Sequence, residues 1–125
     1  MHKYVLLFLT LAISTPASAA PPGSAQNFLD RANRLKAKGP LAFFDSDYNR
    51  LKAEATAVGK SIGNDRIAAE KAGKPILYCS PKPRAQLGSF EFIDGLDAIP
   101  ANERAKMSLK QGMLRVLQKK YPCRR

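Results

Sequence analysis

The chain predicts a small all-α domain: a bundle of four to five helices stapled by one disulfide. Three observations point there. Apolar residues recur at steps of three and four through most of the chain. Gly-Pro, Pro-x-Pro and Ile-Pro punctuation divides those stretches, and no partnered run alternates with a period of two. Two lone cysteines, Cys79 and Cys123, stand behind an N-terminus with the features of an export signal.

Those features come in signal-peptide order. Met1-His2-Lys3 is a short basic start, residues 4–13 are an apolar run interrupted at Thr10, and Ala17-Ser18-Ala19 is a small-residue cleavage site. The run is about half the ~20 residues a spanning helix needs. Residues 1–19 are therefore expected to leave, and residues 20–125 to form a single domain in the periplasm or outside the cell. No later stretch is long and apolar enough to span a membrane. In an oxidising compartment the two cysteines are expected to meet. The loop they close, about 44 residues, makes the bridge worth roughly 4 kcal/mol in the chain-entropy model.

After a Pro21-Pro22-Gly23 leader, Ser24 caps a helix over residues 25–38. Phe28, Leu29, Ala32 and Leu35 form its inner face, and Arg31, Arg34 and Lys38 face water. Gly39-Pro40 stops it. Residues 41–44 (Leu-Ala-Phe-Phe) are apolar on every side and read as a buried turn of helix. Asp45-Ser46-Asp47 lacks the spacing and the glycine of a calcium loop. The triplet reads instead as the cap of the longest helix, residues 47–72. Tyr48, Leu51, Ala55, Val58 and Ile62 form the stripe of that helix. Gly59 and Gly63 on it suggest a kink near Asn64, or a close approach by another helix or a second copy of the chain.

Residues 76–79 lead into the loop Ser80-Pro81-Lys82-Pro83. Ser89 is expected to cap a short helix over 90–98, with Phe90, Ile93 and Leu96 inward, Phe92 near them, and Asp94 and Asp97 solvated. Ile99-Pro100 bends the chain, and residues 102–107 allow one helical turn. Ser108-Leu109-Lys110-Gln111 has the capping-box pattern of a last helix ending near Lys120. Leu109, Met113, Val116 and Leu117 point inward, and Lys110, Arg115 and Lys119 outward. Pro122 stops the helix before Cys123. The bridge would clasp everything between the loop at residue 79 and the tail.

Composition narrows function. The whole chain carries 21 Lys and Arg against 10 Asp and Glu, a formal charge of +11. Losing residues 1–19 removes Lys3 and the sole histidine, His2, and leaves about +10. Without histidine there is no Ser-His-Asp or Cys-His nucleophile system and no His-based metal site. No glycine-rich phosphate loop follows a strand. No catalytic residue, cofactor or metal is expected. The basic residues are spread along the chain and lack the aromatic-basic pattern of a nucleic-acid binder. An acidic protein or an anionic envelope surface is the partner that such charge suits.

The stretch from Tyr78 to Cys123 resembles the Rap1a/Tai family, periplasmic immunity proteins of type VI secretion amidase effectors. The matching residues are Cys79-Ser80-Pro81, Gln86, 90–96, Ile99-Pro100, 109–117 and Tyr121-Pro122-Cys123. A further cysteine pair and a Gly-Tyr-rich segment, found upstream in many members, are not in this chain. The resemblance implies a helical fold and a non-enzymatic protein that inhibits a peptidoglycan amidase by occluding its active site. Charge and loop position nominate Lys82, Arg84, Arg104, Lys106 and Lys110 as contacts to an acidic rim. The alternatives are a small periplasmic stress chaperone and an envelope-binding protein. The lack of mature histidine weakens the first, and the dispersed charge weakens the second.

Overall fold

The computed structural model describes residues 20–124. The expected signal peptide lies outside them. Five α-helices and one 3-10 segment make up the described chain. They are α1 (Ala25–Ala37), the 3-10 segment (Gly39–Phe44), α2 (Ser46–Lys71), α3 (Ser89–Asp97), α4 (Ala101–Arg104) and α5 (Leu109–Lys120). The all-α bundle and its Cys79–Cys123 staple are as the sequence predicts, with the two Cα atoms 4.9 Å apart.

Local chemistry accounts for the helix starts. The Ser24 hydroxyl accepts from the Asn27 amide at 3.0 Å, and the Asp45 carboxylate accepts from the Asp47 amide at 2.8 Å. Each satisfies a donor that the first helical turn leaves free. Ser108 and Gln111 form the reciprocal box: the Gln111 amide donates to the Ser108 hydroxyl and the Ser108 amide to the Gln111 side chain. At α3 the cap is Gly88, not Ser89, and the Gly88 amide donates to the Glu91 carboxylate at 3.3 Å.

The core is built where α1 meets α2, α3 and α5. Phe28, Leu29, Ala32 and Leu35 of α1 pack with Leu51 and Ile62 of α2, Phe92 and Leu96 of α3, and Leu109, Met113, Val116 and Leu117 of α5. The Phe28 and Phe92 rings lie 5.5 Å apart. The starts of α1 and α5 are also joined. The Ala25 amide donates to the Met107 carbonyl and the Leu109 amide to the Gly23 carbonyl, an isolated antiparallel bridge between two capping serines.

Several expectations are corrected. α2 runs through Gly59 and Gly63 without a break, because Leu51 and Ile62 anchor it on either side of Gly59 in one core. A Cβ on Gly63 would meet nothing within 4 Å, and one on Gly59 would make ordinary contact with Met113. The close approaches are at two other glycines. A Cβ on Gly95 would lie 2.7 Å from Val116 Cγ1, and one on Gly112 would lie 2.9 Å from Leu96 Cδ2 and 3.1 Å from the Ala25 Cβ. Those glycines let α3 and α1 seat against α5.

The inner face of α3 is Phe92 and Leu96, with Ile93 half-buried and Phe90 exposed. Residues 41–44 form a 3-10 turn, but it is not buried: only Ala42 packs against the core. Arg31 does not face water freely. Its guanidinium forks between Asp47 at 3.1 Å and Glu54 at 2.9 Å, tying α1 to α2. The hydrogen bond to Asp47, with Glu54 adding to it, holds Arg31 above its ordinary pKa. Asp94 and Asp97 are solvated as expected, with side chains 75% and 70% exposed, and Lys36 and Arg104 stand 4.0 and 3.9 Å from them.

Candidate binding surface

The inward stripe of α5 decides which of its side chains face solvent. Leu109, Gly112, Met113, Val116 and Leu117 are buried, so Lys110, Gln111, Leu114 and Arg115 lie toward the outside of the same helix. Two hollows meet at Leu114. One, of about 440 Å³, is lined by Glu103, Lys106, Met107, Gln111, Leu114 and Arg115. The other, of about 200 Å³, lies between α5, the end of α2 and residues 74–78. Ile62, Ile76, Leu77, Tyr78 and Leu114 give it an apolar lining, and Asp65, Arg66, Lys74 and Lys110 contribute charge. Together they make a shallow apolar floor, wide open at the first and more enclosed at the second, bordered mainly by cations.

The rim is held in place by hydrogen bonds. Lys110 Nζ forms an ion pair with the Asp65 carboxylate at 2.6 Å and donates to the Ser61 hydroxyl at 2.9 Å. Arg66 lies over the Tyr78 ring, 4.9 Å from its centroid, and donates to the buried Ser80 hydroxyl and to Glu70. Arg115 pairs with Glu103 at 3.2 Å. Lys74 and Lys106 are exposed, and neither has a carboxylate partner among the described residues.

The structure brings Lys106 and Lys110 to this one surface and leaves the other nominated residues elsewhere. Lys82 and Arg84 are exposed on the loop between α2 and α3 and line neither hollow. That loop is pinned at its far end. The Gln86 carbonyl accepts from the Tyr121 hydroxyl at 2.9 Å and from Lys120 at 2.7 Å. Lys120 also bonds Glu91 at 2.5 Å. This pair holds the Glu91 carboxyl below its ordinary pKa and Lys120 above its own.

Arg104 is a correction. It is only 9% exposed. Its guanidinium donates to the carbonyls of Leu96 (3.3 Å), Asp97 (2.7 Å) and Ile99 (2.6 Å), and to the Gln26 side chain (2.8 Å). It therefore caps carbonyls at the end of α3 and in the turn after it and is not available to a partner. Sequence charge alone cannot distinguish this arginine from its exposed neighbours. The apolar floor was also missed. Its one sequence signal is Leu114, an apolar residue left over on the cationic side of α5.

The electrostatic balance of the whole surface follows from its ion pairs. Every Asp and Glu except Asp30 pairs with a Lys or Arg, and Asp30 accepts from Gln26 at 2.8 Å. Nearly every carboxylate is thus balanced locally, with Asp47 and Glu54 sharing Arg31, and the charge left over is positive. Among the described residues no group of three His, Cys, Asp or Glu side chains is placed to hold a metal ion. Comparisons with protein-family models, with curated proteins and with solved structures returned no match to this chain.

Proposed function

We propose that this chain is an exported, non-enzymatic binding protein that acts by covering a site on another protein, as Rap1a/Tai immunity proteins cover the active site of a peptidoglycan amidase. The observation that carries the reading is the double hollow around Leu114. It offers an apolar floor to an inserted loop and a rim of Arg66, Lys74, Lys106, Lys110 and Arg115 to its acidic flanks. Rim charge of this kind speeds encounter with an acidic surface, and the desolvated apolar centre supplies the hold. The exposed 20–124 surface has one disulfide, and among the described residues no helix is long and apolar enough to cross a membrane. Both facts fit a secreted or periplasmic protein, and removal of residues 1–19 completes the reading.

The test is a titration of the exported protein into a peptidoglycan amidase encoded beside it. Hydrolysis is expected to fall to completion near one equivalent, with slower association at high salt and in Lys106→Glu. A Leu114→Asp variant is expected to release the enzyme. Full hydrolysis at saturating protein, or inhibition indifferent to both substitutions, would overturn the proposal.

A further inference from the structure

The 3-10 segment Gly39–Phe44 gathers three of the six large apolar side chains that stay exposed among the described residues. Leu41 is 69% exposed, Phe43 66% and Phe44 88%. Gly39 at φ +57° turns the chain out of α1, Ala42 alone packs inward, and the other three side chains are left outside. This tip is built rather than loose. Lys38 and Asp45, at its two ends, form an ion pair across its base. The Asp45 amide donates to the Ala42 carbonyl at 3.1 Å, and the Phe43 ring stands edge-on to Tyr48 at 5.2 Å.

Charge and area together identify what it meets. Of the acidic residues nearby, Asp45 pairs with Lys38, and Asp47 shares Arg31 with Glu54, which leaves three carboxylates against these two cations. Arg34 in the last turn of α1 and Arg50 in the second turn of α2 are exposed and have no carboxylate partner among the described residues. The surplus around the tip is therefore positive. An aromatic side chain buries about 150–250 Å², so three large side chains fall short of the ~800 Å² per partner of a stable protein interface. Such a tip is too small for a dimer contact. A few apolar side chains flanked by cations suffice at a fluid anionic surface, where burial and electrostatic attraction add.

We propose that Leu41, Phe43 and Phe44 insert into the headgroup boundary of an anionic phospholipid bilayer. The proposal is independent of the hollow at Leu114. Ile62 and Asp65 line that hollow and lie about 20–25 Å along α2 from Tyr48 at 1.5 Å per residue, so a docked molecule keeps the hollow clear of the membrane.

Vesicle flotation tests this with the exported protein, its processed N-terminus checked by mass spectrometry. The protein is expected to float with phosphatidylglycerol vesicles and not with phosphatidylcholine vesicles, and to release at high salt. The exposed pair Leu41→Ser/Phe44→Ser is expected to weaken flotation about tenfold or more, with an unchanged circular dichroism spectrum. Lys106→Glu should float as the parent does, which separates this surface from the protein-binding one. Failure of the parent to float, equal flotation on both lipids, or parent-like flotation of the double variant would each overturn the proposal. So would tip-dependent dimers in sedimentation without flotation.

Discussion

Arg104 makes the sharpest test of how this fold is held. Replacing it with Met keeps much of the aliphatic stem and removes the guanidinium. The Asp97 and Ile99 carbonyls at the turn from α3 to α4 and the Gln26 side chain lose this donor, while the Leu96 carbonyl keeps the Ile99 amide. A hydrogen bond to a charged group is worth about 1.5–3 kcal/mol, and a buried polar group left unpaired costs about 1–3 kcal/mol. The residue sits at the edge of the core with 9% exposure, so water recovers part of this. A net loss of about 3 kcal/mol is expected, a substantial share of the 5–15 kcal/mol that holds a domain together. Urea denaturation followed by far-ultraviolet circular dichroism measures it. Arg104→Lys should fall between, because one ammonium cannot reproduce a planar fork across several carbonyls. The exposed neighbour Lys106→Met should stay within about 0.5 kcal/mol of the parent. A loss below about 1 kcal/mol in Arg104→Met would refute the structural role assigned to this guanidinium.

Four further outcomes are expected. Cys79→Ser/Cys123→Ser should lose roughly 4 kcal/mol by the loop-closure argument, read as a lower urea midpoint, and reductant should move the parent toward the same value. Gly95→Ala should lower the midpoint, since its Cβ would fall 2.7 and 2.9 Å from the two Val116 methyls and overpacking costs about 1–3 kcal/mol. Gly63→Ala, whose Cβ meets nothing within 4 Å, should instead raise it by up to about 1 kcal/mol through helix propensity; the opposite order would show that the helix contacts are misassigned. Glu91 and Asp45 are held below their ordinary pKa values of 4.5 and 3.8, chiefly by hydrogen bonds from Lys120 and Lys38. Their stabilisation is present above those values and is lost as pH falls through the lowered ones. Thermal midpoints should therefore drop on acidification below 4.5, and less steeply in Glu91→Gln.

Much of the fold was legible because its signals are local. The stripes of α1 and α5 have complete helical spacing, and Ser24, Asp45 and Ser108 are capping residues by their own side-chain chemistry. The disulfide followed from two cysteines and a compartment. The candidate surface was legible only in part. Lys106 and Lys110 border the double hollow, but Lys82 and Arg84 occupy a separate loop and Arg104 is buried. A lysine facing solvent and an arginine capping buried carbonyls carry the same sign, and only the packing of α3 and α4 against α1 distinguishes them.

The apolar segments show the same limit. The hydrophobicity of Leu-Ala-Phe-Phe predicts burial. The chain turns at Gly39 and has only Ala42 to seat against the core, so the larger side chains remain outside. In α3 helical spacing predicts that Phe90 leads the inner face, with Phe92 beside it, yet Phe90 is 68% exposed and Phe92 is buried. The ring of Phe28 across the interface selects Phe92.

The sequence by itself determined that this chain makes helices, where most of them begin and end, that two cysteines close its C-terminal half, and that its charge is strongly positive. Those properties reside in single residues and their near neighbours. Tertiary structure decided which cation is spent inside, which apolar turn is left outside, which glycines are indispensable, and that two hollows share Leu114. Each of those depends on the surface a second element brings into contact, and distant segments acquire such surfaces only when they pack.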